Sequence, residues 1–491
     1  MPKPVPFEEW KPDLSDRANP ASEAKGVLSI AGQYGPWKDL ADYNGDSAAT
    51  DVTCQGGAHF YDSTNTPHIY LGDAAKLYHI ESRIAVDRSL GGGYALGSSD
   101  DWDFAQFGDL VVAVAGTEAP QVHDMTPGTT AFANLGGSPP TDATSVARVN
   151  DFLMMGKGST VYGSAFNDPT DWVPDVGTQC ISPQELDQEK GSIKKIIGLD
   201  YAAIFQERGI RRASYVGPPI VWDFGQDYVE KERGCISRHA AAAWGRIIYY
   251  VSDDGFYAFD GQASIPIGYG KVDDYFARNL NYAFRHKVRV ACVDKFFFVG
   301  FPSGSATNIS EILAYSIADQ RWTHDLENLD VLFASPADAV TVETTHLVFT
   351  GDNLDDVVSP NNIDIPLSDP RRQLAGVRSS NQRFGFFTGA NRAATTETGE
   401  FEASHGQRAL VTELWPMGDF QQGAVSASIG FRRALPGEAV SYTNPTAMNR
   451  SGFCPQRIDA RFLRGRQVVG AGALWRRTEG LGYTAIKTGS R

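Results

Sequence analysis

Arg246-Ile247-Ile248-Tyr249-Tyr250-Val251, then Ser252-Asp253-Asp254-Gly255, then Phe256-Tyr257-Ala258-Phe259-Asp260-Gly261 is the stretch on which the fold turns. Two short runs of β-branched and aromatic residues flank a turn of Ser, Asp and Gly, the pattern of an antiparallel hairpin. Related units centre near residues 74 (68–80), 116 (109–124), 157 (151–166), 208 (200–223), 305 (295–317) and 349. One hairpin cannot bury its apolar face, whereas several arranged around an axis can. A recurrence of roughly 40–50 residues fits four-stranded blades better than shorter solenoid repeats. The expected fold class is therefore all-β, a β-propeller of six or seven blades.

Outside the hairpins the sequence changes character. Residues 1–45 carry prolines at 2, 4, 6, 12, 20 and 36 and isolated apolar anchors at Phe7, Trp10, Val27, Tyr34 and Trp37, and read as an extended arm. The propeller is expected over 46–355. One helix is expected near 271–287, where Val272, Phe276, Leu280 and Phe284 recur every four residues. Residues 356–380, rich in Pro, Asp, Asn and Ser, read as a linker. From 381 to 491 the strand-like runs 383–387, 409–414, 424–431, 460–463 and 467–469 suggest an antiparallel β-sandwich.

Bulk numbers agree with a multi-part folded chain. At 491 residues it exceeds what one core usually supports. A hydrophobic share of 42% and a charged share of 21% belong to a globular protein. No segment reaches the ~20 apolar residues a bilayer span needs. The first residues lack the apolar core of a signal peptide, so synthesis in the cytoplasm without export is expected. Cys54, Cys180, Cys235, Cys292 and Cys454 are scattered and form no CxxC pair, in keeping with a reducing compartment.

The net charge of −15 is unevenly spread. Residues 371–491 hold 17 Lys+Arg against 8 Asp+Glu, and the first 370 hold 27 against 51. A surface this acidic repels phosphate and would suit a wall along which nucleic acid slides without sticking. Arg457, Arg461, Arg464, Arg466, Arg476 and Arg477 are expected to give the C-terminal part a basic face. Together with Arg383-Phe384 and Phe431-Arg432-Arg433, these side chains favour carboxylates of an adjoining subunit over DNA.

The search for chemistry assigns no catalytic, cofactor-binding or metal residue. Gly156-Lys157-Gly158-Ser159-Thr160 lacks the earlier glycine of a phosphate loop, since Asp151 stands there, and reads as a hairpin turn. His123-Asp124 and His324-Asp325 have no ligand-spaced companions. Asp253/Asp254 and Asp273/Asp274 could supply an acid and a base, but nothing in the sequence places them in a pocket. Trp102, Trp172, Trp222, Trp244 and Trp322 could be sugar platforms or buried blade residues.

Three stretches carry a resemblance. Lys11-Pro12-Asp13-Leu14 through Gly32-Gln33-Tyr34-Gly35-Pro36-Trp37 is one. Trp244-Gly245-Arg246 through Gly270-Lys271-Val272-Asp273, with Asp319-Gln320-Arg321-Trp322-Thr323, is the second. Met448-Asn449-Arg450-Ser451-Gly452-Phe453-Cys454-Pro455 through Ala473-Leu474-Trp475 is the third. They resemble the propeller-type tail hub or nozzle proteins of short-tailed phages, also called packaged-DNA stabilisation proteins. The resemblance implies a non-enzymatic structural protein of the virion tail. It implies a hexameric ring that continues the DNA channel, retains packaged double-stranded DNA without specific binding and conducts it during ejection. Its implied partners are a tail adaptor and tail fibre or spike proteins. A propeller-based tail protein that binds or hydrolyses glycans is the alternative.

Overall fold

The computed structural model describes residues 2–15, 20–126, 130–336, 372–421, 423–432 and 438–488. The chain is mostly β. Five successive four-stranded antiparallel sheets run through strands adjacent in sequence: sheet 1 from Cys54–Tyr61 to Ile84–Asp87, sheet 2 from Asp103–Phe107 to Ala133–Asn134, sheet 3 from Ser145–Val149 to Gln184–Glu185, sheet 4 from Ile193–Gly198 to Val221–Asp223 and sheet 5 from Ala241–Trp244 to Ser264–Pro266. Sheet 6 repeats the pattern with Arg289–Val293, Phe296–Phe301, Ile309–Ser316 and the first half of the long strand Arg321–Pro336. The hairpins expected near 74, 116, 157, 208, 253 and 305 each join the second and third strands of one of these sheets. The unit expected near 349 lies outside the described residues.

A further set of strands is assembled from distant parts of the chain. The second half of Arg321–Pro336 pairs with Arg372–Arg378, which pairs with Phe384–Phe386, which pairs with Ala41–Asp42. We call this sheet 7. It corrects two expectations. The linker at 356–380 ends in a strand, its residues before 372 lying outside the described ones, and the sandwich cannot begin at 381 because Phe384–Phe386 belongs to sheet 7. Both differences arise because backbone groups at 375–377 and 384–386 pair with each other, which composition does not reveal.

Each sheet buries both faces, which is why its middle strands read as unbroken apolar runs instead of alternating ones. Tyr70 and Leu77 of sheet 1 share a core with Val111 and Ala113 of sheet 2. Val112 and Val114 meet Val146 and Leu153. Val149 and Met154 meet Ile204 and Ala213. Phe205 of sheet 4 packs on Tyr250 of sheet 5, and Tyr249 packs on Phe297 of sheet 6. Ala291 and Phe298 meet Leu329 and Leu332, and Val331 and Val377 meet Ile69 and Leu71 of sheet 1.

The C-terminal part is two sheets over a common core that includes Val411, Leu414, Ile429, Leu463 and Trp475. Residues 1–45 supply much of it. Lys3–Pro6 pairs with Trp475–Lys487, Gln33–Pro36 joins the same strand through Tyr34, and Glu23–Lys25 sits between Arg321–Pro336 and Ala394–Glu397. The arm is thus stitched into its own chain. The expected helix over 271–287 is interrupted: an α-helix covers Asp273–Asn279 and a 3-10 helix Tyr282–Lys287. Between them Leu280 leaves helical geometry and Asn281 N–H donates to the Pro302 carbonyl, so sheet 6 draws the chain away from the helix axis. No helix among the described residues is long and apolar enough to cross a membrane.

Candidate functional site

The segments that lead into the first strands of sheets 2, 4, 5 and 6 surround a cavity of about 460 Å³. Ser99 and Asp101 come from before sheet 2 and Lys194 from sheet 4. Ser237 and Arg238 come from before sheet 5, and Tyr282, Arg285 and His286 from before sheet 6. A second cavity of about 290 Å³ lies among the first strands of sheets 2 to 5, with Gln106, Arg148 and Lys195 in its wall.

Asp101, in the wall of the larger cavity, belongs to a buried ion cluster. Arg289 Nη2 donates to Asp101 Oδ1 at 2.6 Å, and Lys287 Nζ stands 3.6 Å from the same oxygen. All three side chains are buried. Lys195 Nζ pairs with Asp103 at 2.5 Å. Burial, then the cations Arg289, Lys195, Arg238 and Lys287, hold the His239 imidazole well below its usual pKa. Burial, then Lys287, also lowers His286. A chain of net charge −15 thus gathers four cations, each with an aspartate partner, about buried His239.

The other sequence candidates are scattered. Gly158 sits in the tight turn between Lys157 and Thr160, and Lys157 pairs with Asp142. Asp254 accepts from Arg233 and from the Tyr257 hydroxyl, whereas Asp273 accepts from Phe256 N–H and is raised to about 7 by burial. His123 bonds to Tyr70 and the Thr130 carbonyl. Trp102, Trp222 and Trp322 are buried, which removes them as sugar platforms, while Trp244 is exposed. All five cysteines are buried and unpaired, and burial raises each thiol, the opposite of nucleophile activation. Among the described residues no group of three His, Cys, Asp or Glu could hold a metal.

The C-terminal arginines divide into two sets. Arg461 pairs with Glu402, Arg464 and Arg466 with Glu397, and Arg432 with Glu400. Those charges are consumed inside the module, against the expectation of one continuous basic face. Arg450, Arg457, Arg476 and Arg477 are exposed and, among the described residues, have no carboxylate partner. Elsewhere, Phe166, Val173, Val176 and Ile220 on loops of sheets 3 and 4, and Tyr215 and Val216 near the end of the strand Ile210–Gly217, are exposed. Phe152 joins Phe166 to Tyr215 by ring contacts, and Tyr215 donates to Gln179. Exposed Asp168, Asp175 and Asp223 adjoin these loops in the chain without an ion pair among the described residues.

The cavity was not foreseen because its residues come from four segments 40 or more positions apart in places, each unremarkable alone. The one sequence signal for it is that every segment immediately precedes or begins the first strand of a repeat.

No family model matches the chain, and no curated protein matches it. Among solved structures it is similar to a chain in the crystal structure of a mitotic checkpoint complex, at 9% identity and a TM-score of 0.38, over 73% of this chain and 97% of that one. It is also similar to the computationally designed Ika8 protein, at 8% identity and a TM-score of 0.38, over 74% of this chain and 99% of that one. Likenesses this weak carry no functional argument.

Proposed function

We propose that the seven sheets are the blades of a β-propeller and that the protein is a structural subunit of a phage tail ring, a hub or nozzle that turns over no substrate. Support for the propeller comes from the shared cores between consecutive sheets, with sheet 7 packed on both sheet 6 and sheet 1. The observation that carries the ring is the pairing of two unlike surfaces on one chain. One is the set of exposed apolar residues on sheets 3 and 4 and their loops with nearby aspartates, the other the exposed arginines of the C-terminal module, both sets of charges being without an ion pair among the described residues. Rings need heterologous contacts in which one patch meets a different patch of the next copy. Opposite charge on the two patches steers that encounter and sets its register.

In this reading the DNA channel lies between copies, bounded by acidic outer surfaces, and the ring is a hexamer in contact with an adaptor and with fibres or spikes. Native mass spectrometry and electron microscopy of the purified chain, alone and with the adaptor, test it. Rings in wild type that dissociate in Arg476→Glu/Arg477→Glu are the expected result. A chain that stays monomeric with and without the adaptor, or is missing from purified virions, overturns it.

A further inference from the structure

We propose that the larger cavity binds a small organic anion, a carboxylate or phosphate carried on a sugar-sized body, through Arg285 and Arg238. This inference does not depend on the ring. Its basis is an excess of cations in a partly enclosed space. Asp101, the carboxylate in the wall, is already engaged by Arg289 and Lys287. Lys194 is matched by Glu207 at 2.8 Å.

Arg238 is matched less closely, by a long ion pair to Asp100. Its Nη1 donates to the carbonyls of Ala115 and Asp101 at 3.1 and 3.4 Å, and the nearest paired carboxylate, Asp100, is 3.9 Å from Nη2. Arg285 has no carboxylate partner among the described residues, and its guanidinium lies 4.4 Å from the centre of the Tyr282 ring. A guanidinium on an aromatic face keeps its donor edge free for a planar anion.

Size narrows the ligand. A volume of about 460 Å³ falls in the range of roughly 300–1,000 Å³ typical of small-molecule sites. Bare inorganic phosphate would leave most of it filled with water. A sugar-sized body would reach the Ser99 and Ser237 side of the wall while its anionic group met the arginines. Carboxylate and phosphate share the recognition chemistry, so the test separates them.

Titration calorimetry of the full chain with glucuronate, glucose 6-phosphate and glucose provides that test. At least one anion is expected to bind while glucose does not, and whichever binds identifies the head group. Arg285→Ala changes an exposed side chain outside the sheet cores and is expected to weaken binding at least tenfold. Arg285→Lys is expected to recover part of it, and the distant control Arg476→Ala to leave it unchanged. Absence of heat with both anions at about 10 mM, equal binding of glucose, or wild-type affinity in Arg285→Ala overturns the proposal.

Discussion

His324 shows how one side chain can join three parts of the molecule. Its ring stacks on Trp10 of the arm, with centroids 4.5 Å apart and planes inclined by 10°. Its Nε2 meets Glu23 at 2.5 Å and its Nδ1 meets Glu311 at 3.2 Å. Burial alone would lower its pKa, but the bonds to Glu23 and Glu311 outweigh burial and raise it to about 9. A histidine whose folded pKa lies above its unfolded value of 6.5 contributes stability that is complete below 6.5 and lost as pH rises through 9. Thermal unfolding followed across that window is expected to show the midpoint falling by roughly 2 °C or more in wild type. His324→Gln should start lower and lack that part of the decline, so parallel curves would refute the assignment. In the sequence only the adjacent Asp325 was visible as a partner. That carboxylate instead pairs with Arg392 at 2.7 Å, while the true partners of His324 stand 301 and 13 positions away. Contacts of that separation leave no trace in local spacing.

At the scale of elements, repetition was legible and packing was not. Six hairpins could be placed from runs such as 247–259 because a strand buried on both faces must be apolar throughout and a tight turn must carry Gly or Asp. Which glycines serve packing was hidden. A Cβ on Gly72 would come within 2.4 Å of the Trp102 indole and one on Gly56 within 2.6 Å of the Trp102 Cβ, so Gly72 makes room for the ring and Gly56 for the base of the side chain and its backbone between sheets 1 and 2. Trp102 is fully buried and its Nε1 donates to the Asp73 carbonyl at 2.9 Å. Trp102→Ala is expected to cost about 3–5 kcal/mol in chemical denaturation. Gly72→Ala should also destabilise, because the indole has nowhere to retreat. In the C-terminal module the equivalent keystone is polar. Buried Glu397 accepts from Arg466 Nε at 2.6 Å and from the Tyr442 hydroxyl at 2.9 Å, with Arg464 at 3.8 Å. Glu397→Ala would strip Arg466 of its buried carboxylate and leave Arg464 with Glu400 at 4.0 Å, at an expected cost of about 3–5 kcal/mol. Hydrogen exchange should locate that loss in strands 394–397 and 462–469. A uniform loss over sheets 1 to 5 would argue against a local cause.

The whole molecule depends on residues 1–45 through strand pairings that the reading of an extended arm with isolated apolar anchors did not specify. Pro-rich composition describes a segment that makes few local hydrogen bonds, and it is silent on whether distant strands supply them. Here Lys3–Pro6 extends the edge of the C-terminal sheet, Glu23–Lys25 bridges that module to sheet 6, and Ala41–Asp42 completes sheet 7. Phe7, Trp10, Val27 and Tyr34 are buried in the core shared by sheets 4 to 6 and the C-terminal module. Removing the segment would therefore expose several unpaired strand edges at once, together with the apolar faces those anchors cover, and such edges template aggregation. Deletion of residues 1–45 is expected to give insoluble protein, and a shorter deletion of residues 1–10, which removes Lys3–Pro6 with Phe7 and Trp10, to give soluble protein with a protease-sensitive C-terminal module. Expression yield, circular dichroism and limited proteolysis read both outcomes. Were the long deletion to stay soluble with an unchanged unfolding midpoint, these pairings would not be what holds the two halves together. The same connectivity brings basic residues together from far apart in the chain: Lys194, which lies in a first strand, and Arg238 and Arg285, which precede first strands, all line the larger cavity of a chain whose net charge is −15.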